Sequence, residues 1–389
     1  MKKIISVLTA TRAEYGLLKP VITKLLQCNE FDVRIAATGM HLSEKYGLTY
    51  KEIEEDGFLI DKKIDILEES NTETAISKSM GTALIKFAEY FQDLKPNLLI
   101  VLGDRYETLA VCCAAMNARI PIAHLYGGET TEGAIDEEIR HAITKMSYLH
   151  FTSTSEYRKR VIQLGESPDR VYQVGALGVE NILNTNLLSK EELEKSIHFK
   201  LEKPYAVVTF HPVTLENNTV KEQFHNLLCA LDEHHELNYI LTKANADANG
   251  EVINTMIDRY ASEHNNVIAY PSLGILRYLS ALKHCKMVIG NSSSGIIEAP
   301  SFGIPTINIG DRQKGRIQSD SVINCIASSK VISDAINLAL SEDFSQKARN
   351  TVNLYGDGHT SDRIVNILRE YILDDKIDLK KKFYDIDFA

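Results

Sequence analysis

Leu98-Leu99-Ile100-Val101-Leu102-Gly103-Asp104-Arg105-Tyr106-Glu107-Thr108 reads as a buried strand that ends in a glycine, two charged residues and the start of a helix. Five aliphatic residues in a row, with no polar alternation, mark a strand covered on both faces, as in a parallel sheet. A similar passage follows at His124-Leu125-Tyr126-Gly127-Gly128-Glu129, and a helical run opens at Asp136-Glu137-Glu138-Ile139-Arg140-His141. Acidic side chains therefore stand on loops after buried strands, the edge at which open α/β sheets keep their chemistry. Carboxylates in that position serve as general acids, general bases or stabilisers of a cationic sugar transition state.

Outward from this stretch, short Val/Ile/Leu runs alternate with longer amphipathic segments, the pattern of parallel strands joined by crossover helices. The first half predicts strands at 4–9, 33–38, 98–102, 121–124, 148–152 and 170–174, with helices at 15–26, 75–94, 108–117, 136–146 and 155–164. A polar passage over 183–204 interrupts the rhythm, which restarts with strands at 205–210, 239–241, 267–269, 287–289 and 305–308. The expected organisation is an N-terminal α/β domain over 1–180 and a C-terminal one over 181–389. The last helix, 361–373, is free on this reading to cross back onto the first half.

The 389 residues suffice for two cores, since 44% are apolar. No run reaches the roughly 18 apolar residues that a membrane span requires. The short run Ile4-Ile5-Ser6-Val7-Leu8 is followed at once by Arg12 and Glu14, so it reads as a first strand and not as a signal peptide. Six cysteines lack C-x-x-C spacing and sit in apolar or helical contexts, which fits a reducing cytoplasm. A net charge of −10, with no cluster of Lys and Arg, argues against a nucleic-acid surface. No His, Cys and carboxylate set has metal-ligand spacing, and the first strand–helix turn lacks G-x-G-x-x-G, so neither a structural zinc nor a nicotinamide or flavin dinucleotide is expected.

Several polar residues follow strands. Arg12 stands after the first strand, placed to meet an anion. Asp104 and Arg105 follow the strand at 98–102, where Asp104 equally suits a helix N-cap. Asp136 with Arg140, and Glu137 with His141, are spaced i,i+4 and share helix faces. In the second half, His211 follows the strand at 205–210, Lys243 and Asn245 follow the next, and Asp311, Arg312 and Arg316 follow a later one. The turn Gly290-Asn291-Ser292-Ser293-Ser294-Gly295, with Glu298 beyond it, brings small residues and hydroxyls to a helix start, a device for phosphate that also serves as an ordinary Ser cap.

Taken together these residues resemble the hydrolysing UDP-N-acetylglucosamine 2-epimerases, which form N-acetylmannosamine and UDP at the start of sialic-acid synthesis. The matching text is Thr11-Arg12-Ala13-Glu14-Tyr15-Gly16, Gly103-Asp104-Arg105, His124-x-x-Gly127-Gly128-Glu129, Ile139-Arg140-His141-Ala142-Ile143-Thr144-Lys145, His211-Pro212-Val213-Thr214, Gly290-Asn291-Ser292-Ser293 with Glu298, and Tyr355-Gly356-Asp357-Gly358. The resemblance implies two Rossmann-like, doubly wound domains facing a central cleft in the manner of GT-B transferases, as a homodimer or homotetramer, with a UDP-amino-sugar as substrate, UDP as product and no cofactor. It implies Ser292 and Ser293 at the diphosphate, Glu298 at the ribose, and Arg12, Arg105, Asn245 and Arg312 as further substrate-binding groups. Asp104, Asp136 and His211 fall on catalytic or substrate-contacting positions. Non-hydrolysing relatives carry a catalytic Glu two residues after the histidine matching His124. Here that position is Tyr126, so either Glu129 supplies the carboxylate or Tyr126 takes another role.

The chemistry so implied is loss of UDP with removal of the C2 proton, then addition of water to the glycal. The same reaction on a UDP-2,4-diacetamido-2,4,6-trideoxyhexose is an equal fit to these residues. A non-catalytic UDP-sugar-binding protein would keep the serine turn without needing an acidic cluster.

Overall fold

The computed structural model describes residues 2–70, 72–131, 135–212, 219–244 and 250–387. It contains two wholly parallel sheets, each of which grows from a central strand and then reverses direction. The first comprises β1 (Lys3–Thr9), β2 (Phe31–Thr38), β3 (Ile60–Ile64), β4 (Leu98–Leu102), β5 (Ile122–Leu125), β6 (Leu149–Thr152) and β7 (Val171–Gln173). Their order across the sheet is β3-β2-β1-β4-β5-β6-β7. The second comprises β8 (Tyr205–Thr209), β9 (Asn238–Thr242), β10 (Val267–Tyr270), β11 (Met287–Gly290), β12 (Thr306–Ile309) and β13 (Val322–Cys325), in the order β10-β9-β8-β11-β12-β13. The doubly wound α/β class expected from the sequence is the one observed. β3 and β13 went unforeseen: both are edge strands, and Ile60-Asp61-Lys62-Lys63-Ile64 carries too little apolar text to look like one.

Two-residue periodicity fills both faces of each sheet. In β4, Leu98, Ile100 and Leu102 enter one core cluster with Ile5 and Val7, while Leu99 and Val101 enter another with Leu8 and Phe87. In β8, Ala206 and Val208 pack with Phe224 and Leu241, and Tyr205 and Val207 pack on the other side with Leu282. The chain divides into two compact units. The first consists of the residues up to Glu129, Asp136–Asn181 and everything from Tyr355 on; Ile182–Leu354 form the bulk of the second. The helix Thr360–Leu373 thus packs in the first unit, where Ile364, Leu368 and Ile372 join the cluster built on Leu18, Val21 and Leu25. Glu180 fastens its start by accepting the Ser361 N–H (2.6 Å), the Ser361 hydroxyl and the Lys24 ammonium (3.3 Å).

Among the described residues no helix is long and apolar enough to cross a membrane, and no group of three His, Cys, Asp or Glu could hold a metal ion.

Candidate active site

The strand order of a doubly wound sheet reverses between two neighbours, and the loops after those two strands diverge to leave a crevice. In the first unit the reversal lies between β1 and β4, so it is flanked by the segment at Arg12 and the segment at Asp104. In the second it lies between β8 and β11, flanked by His211 and by Asn291-Ser292-Ser293. Arg12, Asp104 and Arg105 thus flank the reversal of the first sheet, and His211, Ser292 and Ser293 that of the second; Glu129 and Asp136 follow β5, and Arg312 follows β12, each one strand further out.

In the first unit Arg140 is the hub. It belongs to the helix Asp136–Met146 and is 1% exposed. Its guanidinium binds the Asp104 carboxylate, donates to Glu137 Oε2 (2.9 Å) and donates to the Glu129 carbonyl (2.8 Å). A fork of planar donors is what lets one cation hold three acceptors. Asp104 is thus not the cap of the helix Tyr106–Asn117; Arg105 occupies that position, and the Asp104 side chain turns to Arg140. Glu137 also meets His141 Nε2 at 3.1 Å, the spacing read from the sequence. Asp136 is the first residue of its helix and half-buried.

Glu129 is 2% exposed and accepts the Ser153 hydroxyl through Oε1 at 2.9 Å. The turn before it needs its glycines: a Cβ on Gly128, at φ +79°, would stand 2.3 Å from the Tyr157 carbonyl. His124 lies fully buried in β5, with Nε2–H donated to the Gly103 carbonyl at 2.8 Å. Burial pushes this imidazole down to about 3, the Gly103 hydrogen bond only partly offsetting it. His124 accordingly supports, in neutral form, the loop that presents Asp104.

Arg12 opens the helix Arg12–Gln27, which starts three residues before the apolar periodicity suggested. A capping box causes this: Thr11 Oγ1 accepts the Glu14 N–H (3.3 Å) and Glu14 Oε2 accepts the Thr11 N–H (3.1 Å). The Arg12 guanidinium pairs with Glu52 at 2.9 Å. Arg105 donates through Nε to Glu107 at 2.5 Å. Glu107 is 1% exposed, and it shares the base of the loop with Glu14, whose carboxyl is raised to about 7 by burial and then by the Glu107 charge.

In the second unit, Gly290 ends β11 at φ +134°, where a Cβ would stand 1.9 Å from the Thr209 carbonyl. That close approach brings Asn291 beside His211. The Asn291 side chain accepts the His211 N–H and donates to the His211 carbonyl, both at 2.7 Å. The Asn291 carbonyl in turn accepts Arg312 Nη1 (3.1 Å) and Gln313 Nε2 (2.9 Å). Ser292 and Ser293 follow, half-buried, and Ser294 accepts the Tyr278 phenol at 2.7 Å. The helix expected after the serines is a single turn, Ser294–Ile297, and Glu298 sits at its end ahead of a 3₁₀ turn. A dipole of that length contributes little to an anion; the polar groups at this turn are the Ser292 and Ser293 hydroxyls and the Arg312 guanidinium. Lys243 is engaged with Asp258 at 2.6 Å. Asn245, Val213 and Thr214 lie outside the described residues.

The sequence profile of the UDP-N-acetylglucosamine 2-epimerase family matches residues 23–369. The chain belongs to that family. It is 45% identical over 324 residues to a GDP/UDP-N,N'-diacetylbacillosamine 2-epimerase (hydrolyzing) of Campylobacter jejuni, covering 83% of this chain and 84% of that protein. It is 41% identical over 387 residues to the polysialic acid biosynthesis protein P7 of Escherichia coli, covering 99% and 98%. As a member of that family it is an enzyme, and the Campylobacter jejuni relative carries the hydrolysing designation. Among solved structures, the UDP-GlcNAc 2-epimerase of Neisseria meningitidis bound to UDP-GlcNAc shares the fold at a TM-score of 0.79 and 20% identity, over 95% of this chain and all of that one.

Two residues that organise these loops, Asn291 and Arg140, have little signal of that role in the sequence. The serines beside Asn291 draw the eye, yet an Asn directly after a buried strand can satisfy a neighbouring strand's open backbone. Arg140 stands i,i+4 from Asp136 and within the matched stretch 139–145, but its bond to Asp104 has no signal there, because the strand order that brings the two together is not written in either segment.

Proposed function

We propose that this enzyme converts UDP-N-acetylglucosamine and water to N-acetylmannosamine and UDP. The observation that carries the reading is a split between the two units: the first holds the carboxylates of Asp104, Glu129 and Asp136 beside the Arg140 guanidinium, and the second holds hydroxyl, imidazole and guanidinium groups at Ser292, Ser293, His211 and Arg312. A UDP-sugar has the same split when its anomeric bond breaks. The C1–O bond lengthens first, positive charge spreads over C1 and the ring oxygen, and the diphosphate takes the electron pair.

In this scheme a carboxylate removes the C2 proton to give the glycal, and water then adds, hydroxyl to C1 and proton to C2 from the opposite face. Arg140 stands against Asp104 as its counter-charge, and the carboxylate so held suits stabilisation of the cationic ring. Glu129 and Asp136 are the candidates for proton transfer. Ser292, Ser293 and Arg312 hold the diphosphate, Glu298 the ribose hydroxyls, with Arg12, Arg105 and Asn245 as further contacts, and His211 stabilises the departing phosphate. Donors aimed at developing charge are each worth about 10²–10³ in turnover.

A second reading concerns the sugar alone. The 45% identity to the Campylobacter jejuni enzyme favours a UDP-linked diacetamido-trideoxyhexose, whereas the full-length match to protein P7 favours the first. Incubation with each UDP-sugar separately, with products followed by NMR, tests both. Free N-acetylmannosamine with UDP supports the first reading, the free diacetamido sugar supports the second, and UDP-N-acetylmannosamine or unchanged substrate rejects hydrolytic epimerisation of these sugars.

A further inference from the structure

Tyr126 lies in the middle of the acidic region without being acidic itself. Its backbone sits at φ +70°, a left-handed conformation that strains a tyrosine and survives only where surroundings over-determine it. Three contacts do so. The Tyr126 N–H donates to the Phe151 carbonyl at 2.9 Å, the ring packs against the core of the first unit, and the phenol oxygen accepts the Leu177 N–H at 2.8 Å. Leu177 is the first residue of the helix Leu177–Asn184, by which the chain leaves the first unit. As a first-turn residue its N–H has no partner within the helix, so the phenol fills a vacancy that the helix cannot. Further along the same helix, Asn181 donates to the Gly16 carbonyl at 2.8 Å, and Glu180 is held by Ser361 and Lys24.

The consequence falls on the next three residues. Gly127 and Gly128 have no side chains with which to fix themselves, yet they must deliver Glu129 to Ser153 and Arg140. The turn is pinned downstream by those bonds and by Arg160, which donates to the Gly128 carbonyl at 2.6 Å. Upstream, Tyr126 ties it to the exit helix.

We infer that Tyr126 is a positioning residue for the epimerisation, its phenol serving as acceptor for the Leu177 amide and thereby fixing the Gly127-Gly128 turn that places the Glu129 carboxylate. The inference rests on the function proposed above. It assigns the proton-transfer role at this loop to Glu129 and removes it from the phenol.

The test compares wild type with Tyr126→Phe, which keeps the ring and deletes the acceptor, and with a ring-fluorinated tyrosine introduced at position 126, which keeps the acceptor and makes the phenol more acidic. Wild type is assayed first against the UDP-sugar panel; absence of hydrolysis there sinks the proposed function and not this inference in particular. With an active wild type, Tyr126→Phe is expected to lower kcat by about 10-fold or more through misplacement of Glu129, to leave KM within about 2-fold, to leave the pH profile unshifted, and to speed hydrogen exchange at the Leu177 amide. UDP affinity by calorimetry, expected unchanged, verifies that the variant folds. The fluorinated enzyme is expected to keep both kcat and its alkaline limb. An unchanged kcat in Tyr126→Phe, or an alkaline limb that moves with the fluorinated ring, overturns the inference.

Discussion

Asn291 and His211 hold each other by a reciprocal pair of hydrogen bonds, side-chain amide to both the N–H and the carbonyl of the histidine backbone, each at 2.7 Å. They lie 80 residues apart in sequence and flank the strand reversal of the second sheet. This pair fixes the His211 backbone directly after β8. Replacing Asn291 by Ala leaves a buried N–H and a buried carbonyl without partners, at about 1–3 kcal/mol each. Asn291→Ala is therefore expected to lower the melting temperature and to weaken UDP binding by at least 10-fold in calorimetry. Wild-type affinity in a folded variant would show that the histidine loop holds its shape without the clamp.

Asp104→Asn keeps the size of the side chain but removes the charge opposite Arg140. Turnover is expected to fall by about 10²–10³ while UDP affinity stays within a factor of two or so. Steady-state kinetics beside UDP calorimetry measures both, and near-normal turnover removes Asp104 from the mechanism.

Arg140→Met tests the hub. Loss of one partner from a buried ionic network costs about 3–5 kcal/mol, because Asp104 and Glu137 are left without their counter-charge. The variant is expected to unfold at lower denaturant and to show little activity even where folded. Retained activity with wild-type stability would make the buried guanidinium incidental.

Ser292→Ala combined with Ser293→Ala is expected to weaken UDP by at least 10-fold without disturbing the first unit's acid stability. Unchanged affinity would place the nucleotide elsewhere.

Acid sensitivity follows from the buried imidazoles. Burial holds His124 down to about 3 and His41 down to about 4, and lowers His150 as well. The unfolded chain takes up protons at these side chains near the ordinary histidine value while the folded chain does not, so their stabilising contribution is complete above about pH 6.5 and is lost as pH falls toward 4. Glu14 acts in the opposite sense: raised to about 7, it is protonated in the folded state when the unfolded state has already released the proton, so stability declines as pH rises from about 4.5 to 7. Thermal melts of Glu14→Gln should lose that decline, giving a larger gain over wild type at pH 8 than at pH 5. An equal difference at both values would mean that Glu14 does not titrate in this window.

Much of this is legible in the amino-acid sequence alone. β4 announced itself through five aliphatic residues in a row, and the same kind of text gave β1, β8 and β11, so the positions after these strands could be read as one class of site. β3 and β13 were not legible, because an edge strand in contact with solvent on one side has no need of a continuous apolar run. The bond from Arg140 to Asp104 was equally hidden, since it depends on β4 and β5 being neighbours with their following helices side by side. The start of the first helix was misjudged because apolar spacing begins only at Tyr15, whereas the hydrogen-bonding signal, Thr11 with Glu14, lies upstream of it.

The return of the last helix to the first unit sets an order of events during synthesis. Ile364, Leu368 and Ile372 complete a core whose other members, Ile5, Leu18 and Ile35, emerge from the ribosome more than three hundred residues earlier. The continuous stretch between Ile182 and Leu354 has all its own strands to hand before those three arrive. The later-numbered lobe can therefore mature first, while the earlier one waits with an apolar groove open for its final piece, which makes nascent chains halted before residue 360 natural clients of chaperones.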